Sequence, residues 1–525
     1  MSACGDTAGG DAEPAAETPR EGGTYNYPLQ EAPPLFDPAA QLMGEGYNVI
    51  NQVVEGLVRY EVGADGTMTT VPCLAESWSA NADATVWTFT LRSGVTFHPP
   101  VSREVTADDV VACIDYISDP ERQSWIAYMY APIEGADGAG YATDGPLAVE
   151  ALDRYTVRFT LAYPFAEFPD TLGALAFLVW PADHLEQVGL EAYGKHPVGT
   201  GPYMFGRDAT RSSVDLVRNP QWWDTSGGPY LDAIHFEVFN SVSAMWLAFQ
   251  KGEIDWSTVP KGEIVASRSL PQVESGEWSS VDSPLFALGY LLVNMNDPVV
   301  GGGGGLALRR ALCYGCDPQA VVDVATDGVH QPATSLVPPG VPGWDDVPLP
   351  YGYDPEKAAE LAAQADPPAL ELWYPIENLG QKTAETLAAS YAACGIEVRV
   401  RGLEWDEYVE RTLGGEGQLF VLGWAADYPS TDSFLYPLFE SSQSGATMGA
   451  FYSNEEVDRL LAEARATVDP QARRQIYAEA ERLILADAPV VPVFVFAEHR
   501  LFSERVANVR FNGMDLVALW RAWVR

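Results

Sequence analysis

The stretch GWAADYPSTDSF occupies residues 423–434 and follows directly on the apolar run QLFVL at 418–422. A short continuous apolar run that ends in glycine, proline and serine reads as a buried strand emerging into a loop. Read with the strand-then-helix alternation of the rest of the chain, it belongs to an α/β lobe. At the mouth of this loop one acid, Asp427, stands between Trp424 and Tyr428. A carboxylate drawn out of water among rings is costly unless a positive charge meets it. The stretch therefore suggests a fold and a site together.

Moving outward, β-type runs alternate with amphipathic helices. WTFTLR (87–92), YTVRFTL (155–161), IHFEVF (234–239), LELWY (370–374), IEVRVR (396–401) and VVPVFVF (490–496) are predicted strands. Helices have marked starts: Thr106 and Asp109 in capping-box positions, Asp354 as N-cap before Pro355, and Ser453 with Glu456 three residues on. The chain of 525 residues is too long for one core, so two or three lobes are expected. GGGGG at 301–305 reads as a floppy connection, since no GK[ST] follows to hold phosphate.

Composition narrows the partners. Hydrophobic residues make up 47% and aromatics 11%, a globular balance. A net charge of -42 argues against nucleic acid and against anionic membrane as binding partners. No apolar stretch approaches the roughly 18–20 residues that span a bilayer. The small, acidic opening MSACGDTAGGDAEPAAETPREGG reads as a flexible tether, with Cys4 placed as in the cleavage end of a bacterial lipoprotein signal. Lipid on Cys4 would make the chain exported and anchored to the cell membrane from outside. Of the six cysteines, Cys73, Cys113, Cys313, Cys316 and Cys394 would remain, an odd number. CYGC at 313–316 ends an apparent helix rather than starting one, which favours buried structural cysteines or a bridge such as Cys313 to Cys394 over redox or zinc chemistry.

Motifs for catalysis do not appear. GLEAYGKH (189–196) nearly matches a P-loop but ends in His196 and follows a helical HLEQV, where a P-loop must leave a strand. GxSxG and HExxH are missing, and the six histidines are scattered without ligand spacing. No metal, cofactor or enzymatic reaction is expected. An extracellular hydrolase using a carboxylate pair stays open as the rival from another class.

Ten stretches in order then carry a resemblance: VVEGLVRYE (53–61), CLAESWS (73–79), VWTFTLRSGVTFH (86–98), VTADDVV (105–111), VGTGPYMF (198–205), VRNPQWWD (217–224), FQKGEIDW (249–256), LRRALCYGCDPQAVV (308–322), LEWDEYV (403–409) and GWAADYPSTDSF. The chain resembles the family 5 solute-binding proteins, the dipeptide- and oligopeptide-binding components of ABC importers, from about residue 23 to 525. The resemblance implies the hinged, two-lobed α/β periplasmic-binding-protein fold (class II) with an extra domain. Lobe I would comprise 23–46, 162–284 and 492–525, the extra domain 47–161 and lobe III 285–491, after a tether at 1–22. Pro164 and Pro284 lie near two crossings.

The resemblance also implies a role for Asp427: in peptide-binding relatives this Asp grips the ligand's α-ammonium. A charge-assisted bond contributes about 1.5–3 kcal/mol net, and a π face from Trp424 and Tyr428 about 1–2 kcal/mol more. Micromolar binding needs about 8 kcal/mol, so the grip anchors without sufficing. Trp405, Trp125 and the loop holding Met43, Gly44 and Glu45 match segments that line the family's cleft. The expected partners are a peptide-like solute and an ABC permease and ATPase complex, with the binder itself a monomer. One departure is plain. Where dipeptide binders carry a carboxylate-clamping Arg, this chain has PIENLGQ with Glu377, and Val421 replaces an Arg found in some oligopeptide binders. Arg207, Lys261 or Lys382 would have to serve instead. Sugar, opine, nickel-chelate or haem binding on the same fold remains the alternative.

Overall fold

The computed structural model describes residues 18–31, 36–40, 45–63, 66–376, 379–445 and 450–525. The tether's Cys4, the loop residues Met43 and Gly44, and Glu377 lie outside the described residues. The run QLFVL becomes strand Leu419–Ala425 in a seven-stranded sheet. Its order is Trp256–Thr258, Val490–Ser503, Trp278–Val293, Leu419–Ala425, Leu370–Pro375 and Val398–Leu403, with Gln331–Pro332 pairing off this path. Leu370–Pro375 is parallel to both its neighbours, and the remaining pairings are antiparallel.

Period-two alternation explains why the central strands read as continuous apolar runs. Phe286, Leu288, Tyr290 and Leu292 face one core with Phe420, while Leu291 and Val293 face another with Leu419 and Val421. Each such side chain contributes about 1.5–3 kcal/mol by leaving water. Both sheet faces are thus covered.

Two strands are much longer than the rest. Trp278–Val293 has 16 residues and Val490–Ser503 has 14, and they run side by side. One end of the pair meets Trp256–Thr258, and the other end meets Leu419–Ala425. The ladder breaks between Pro284 and Leu288 and again between Gly289 and Tyr290, where Tyr290 faces Pro492. Proline brings no N–H to a ladder, so each break has its cause in sequence. The prediction at 490–496 caught only half of the second strand, because AEHRLFS looks too polar to continue it.

A separate core gathers two four-stranded sheets. One is ordered Thr24–Leu29, Ala233–Val238, Ser213–Arg218, Tyr203–Phe205, and the other Ala75–Ala80, Val86–Leu91, Thr156–Thr160, Val149–Asp153. Tyr27 and Phe236 from the first pack into the same cluster as Phe89 and Phe159 from the second. The molecule therefore has two bodies joined through the paired long strands.

Local details correct four expectations. Helix Glu455–Ala466 is capped by Asn454, whose side chain accepts from the N–H groups of Glu456 and Val457, not by Ser453. IEVRVR shifts to Val398–Leu403, because the Ile396 N–H closes the preceding helix on the Tyr391 carbonyl. The five glycines form turns and are not slack: Arg309 donates to the Val300 and Gly302 carbonyls at 2.9 and 2.7 Å. The five cysteines among the described residues are free and buried, so Cys313 and Cys394 are not bridged. Burial pushes the Cys313 thiol up to about 12. The capping box at Thr106 and Asp109 and the Asp354 cap are present as read, and HLEQV with the near P-loop forms two short helices, Ala182–Val188 and Leu190–Lys195.

Candidate functional site

Strand Leu419–Ala425 delivers Asp427 to a loop that bonds to itself. The Trp424 indole donates to the Ser433 carbonyl at 2.7 Å, and the Asp427 N–H donates to Ser433 Oγ at 3.0 Å. The Ala426 N–H reaches the Phe286 carbonyl at 2.8 Å, which ties the loop to the long crossing strand. Trp424 thus acts as a brace for the loop. Tyr428 also points away from Asp427, donating to Asp432 at 2.6 Å and packing edge-on against Phe165.

Asp427 itself receives one bond from far away in sequence. The Tyr128 hydroxyl donates to its Oδ1 at 2.8 Å. Among the described residues no arginine, lysine or histidine pairs with this carboxylate. Protein atoms surround it closely enough that desolvation lifts its pKa to about 6, against the lowering effect of Tyr128. The carboxyl nevertheless keeps part of its surface open. An enclosed anion with one neutral donor and a free face is built to receive a cation.

The other candidates take different places. Trp125 is 79% exposed, three residues before Tyr128, and Trp405 is 45% exposed and stacked on Tyr408. Glu45 accepts from the N–H groups of Gln30 and Glu31, and burial raises its pKa to about 7. Arg207 is paired with Asp215, whereas Lys261 and Lys382 are exposed. A recess of about 290 Å³ is lined by Tyr60, Arg59, Arg510, Asn512 and Arg521 among others. Burial raises the Tyr60 phenol most, and the charge of Asp427 is among the further causes, so the recess opens within electrostatic reach of the site. Arg59 and Arg521 pair with Glu61, while Arg510 has no ion pair or hydrogen bond among the described residues.

Sequence reasoning missed Tyr128, because nothing in the spacing of RQSWIAYMY signals a contact 299 residues away. It also missed Glu167. This acid is 5% exposed and accepts from Ser430 Oγ at 2.8 Å and from the Tyr477 hydroxyl at 2.9 Å.

Two bodies joined by paired strands, with an open carboxylate where they meet, define a two-lobed α/β solute-binding protein. The family described as "Bacterial extracellular solute-binding proteins, family 5 Middle" matches residues 69–446. The chain is 28% identical over 495 residues to heme-binding protein A of Haemophilus influenzae, covering 90% of this chain and 86% of that protein. It is 30% identical over 467 residues to di/tripeptide-binding protein 4 of Pseudomonas aeruginosa, covering 85% and 84%. The solved structure of the ABC transporter-associated periplasmic binding protein DppA from Helicobacter pylori, in complex with the peptide STSA, superposes with a TM-score of 0.74 at 27% identity over 96% of this chain and 98% of that one. The chain belongs to family 5 of the bacterial extracellular solute-binding proteins. Among the described residues no helix is long and apolar enough to cross a membrane.

Proposed function

We propose that this protein captures a peptide-like solute through its α-ammonium and presents it to an ABC permease, held to the cell surface by lipid on Cys4. The observation that carries the reading is Asp427, a desolvated carboxylate with one neutral donor and no cation of its own among the described residues. Its resting pKa of about 6 leaves it charged at neutral pH, while a peptide ammonium is charged too. Tyr128 would orient the carboxylate, and Trp125 and Trp405 offer exposed rings for the ligand's side chains. The recess with Arg510 gives the ligand's carboxylate end a cation, in place of the missing family arginine. Two relatives point the same way: di/tripeptide-binding protein 4 and the STSA complex.

Haem, suggested by the Haemophilus relative, finds less support. His98 is buried against the Gly201 carbonyl, His235 bonds Asp215, His499 bonds Ser267 and Asp282, and His330 packs on Phe494 and Phe496. Native mass spectrometry of the purified protein tests the proposal. Retained peptides or amine-bearing cargo support it, and retained haem or sugar alone would remove it.

A further inference from the structure

Behind the Asp427 loop, two buried carboxyls from different bodies meet on one hydroxyl. Glu167 follows Phe165 and precedes Phe168, which belong to the first core, whereas Tyr477 and Phe434 belong to the second. The Tyr477 oxygen lies 2.9 Å from Glu167 Oε2 and 2.8 Å from Asp432 Oδ1. A phenol has one hydrogen to donate. Two full hydrogen bonds to two carboxyl oxygens need two hydrogens, so one of the acids has to bring its own.

The surroundings decide which. Asp432 is fully buried and held by Arg465 through contacts of 2.9, 3.2 and 2.6 Å, and it also accepts from Tyr428. That guanidinium keeps Asp432 ionised, and its pKa is lowered despite burial. Glu167 has weaker support. Its nearest cation is Arg473, whose Nε is 3.5 Å away and whose Nη1 is bonded to the Thr467 and Val468 carbonyls. Burial above all, and then the charges of Asp432 and Asp170, raise its pKa against the pull of Arg473. Ser430 completes the set, donating to Glu167 Oε1 while accepting from the Asp432 N–H at 3.0 Å. Burying a second carboxylate here would cost several kcal/mol, which a proton taken from water avoids.

We infer that Glu167 is a positioning residue that holds the Asp427 loop by docking across the two bodies in its protonated form, so that solute capture takes up a proton. In the docked state the proton sits on Glu167 Oε2 and is donated to the Tyr477 oxygen, while Tyr477 donates to Asp432. When the bodies part, Glu167 meets water and releases the proton to it. Docking is therefore strongest at acid pH, weakens as the pH rises from the ordinary carboxyl range to about 7, where Glu167 titrates in place, and is level above that.

Two readouts test this on the full chain. Infrared difference spectroscopy should show a carboxyl that gains its proton when trialanine is added at pH 6, and Glu167→Gln should lack that band. The inference rests on the peptide reading, and failure of that reading shows separately, as no trialanine binding at any pH. With trialanine as probe, the ratio of wild-type to Glu167→Gln affinity should fall by up to about tenfold per pH unit as the pH rises toward 7 and level off above it, because Glu167→Gln keeps a donor and an acceptor but takes up no proton. Tyr477→Phe, which removes the shared hydroxyl, should lower the titration point even if Glu167→Gln folds poorly. No carboxyl gaining a proton on trialanine binding at pH 6, or a ratio of wild-type to Glu167→Gln affinity that does not change with pH, would overturn the inference.

Discussion

In the proposed function Asp427 is the residue on which binding turns, and its chemistry leads to two expected outcomes. Asp427→Asn keeps the shape and removes the charge, so calorimetry should show affinity for an unblocked peptide lower by about 1.5–3 kcal/mol, or roughly 10- to 150-fold. The ligand-free melting temperature should barely move, because among the described residues no cation is orphaned by the change. The second outcome is a pH limb. A free-state pKa of about 6, lowered again when an ammonium arrives, means that binding releases a proton below that value. In Glu167→Gln, where the opposing slope of Glu167 is removed, affinity should therefore drop as pH falls through 6, by up to about tenfold per unit. Asp427 was legible in sequence because strand, loop and rings lie within twelve residues of GWAADYPSTDSF. Tyr128 and Glu167 were not, since their partners lie 299, 263 and 310 residues away. Pairings at that separation leave no periodicity to read.

Among the elements, the helix caps and glycine turns separate good sequence reading from poor. Thr106 with Asp109 and Asp354 with Pro355 were readable because a cap needs only neighbours within a turn. Ser453 misled because Asn454, an equally good cap, stands beside it. Asn454→Ala should cost about 1 kcal/mol in urea unfolding and Ser453→Ala much less; the reverse ranking would restore the sequence reading. The glycines at 301–305 hide two kinds of position. A Cβ on Gly305 would sit 2.2 Å from the Val300 carbonyl oxygen, whereas one on Gly303 meets nothing within 4 Å. Gly305→Ala should destabilise by about 1–3 kcal/mol, while Gly303→Ala should be neutral or slightly stabilising. Equal effects would mean the connection is as slack as its sequence suggests.

The molecule as a whole is two packed bodies on a shared pair of strands, and that arrangement is what makes a hinge credible. The alternation of strands and helices announced α/β layers, but the crossing strands were only half visible, because polar residues cover their exposed stretches. The break after Pro284 lies where the pair passes from Trp278, Ala497 and Leu501 in one cluster to Leu288 and Val495 in another, whereas the break beside Pro492 lies inside the second core. Adding cargo should reduce the radius of gyration in small-angle scattering, and an unchanged profile would argue against closure. The acidity of the chain, 73 acids against 31 basic residues, makes an arginine with no ion pair among the described residues informative. Arg510→Ala should weaken trialanine more than its C-terminal amide, and equal losses would exclude Arg510 as the carboxylate partner.

The sharpest measurement is a calorimetric cycle with trialanine and N-acetyl-trialanine against the wild type and Asp427→Asn. If the carboxylate meets an ammonium, acetylation costs the wild type roughly 10- to 150-fold and costs Asp427→Asn little. Equal losses in both proteins would mean that the acid grips something else.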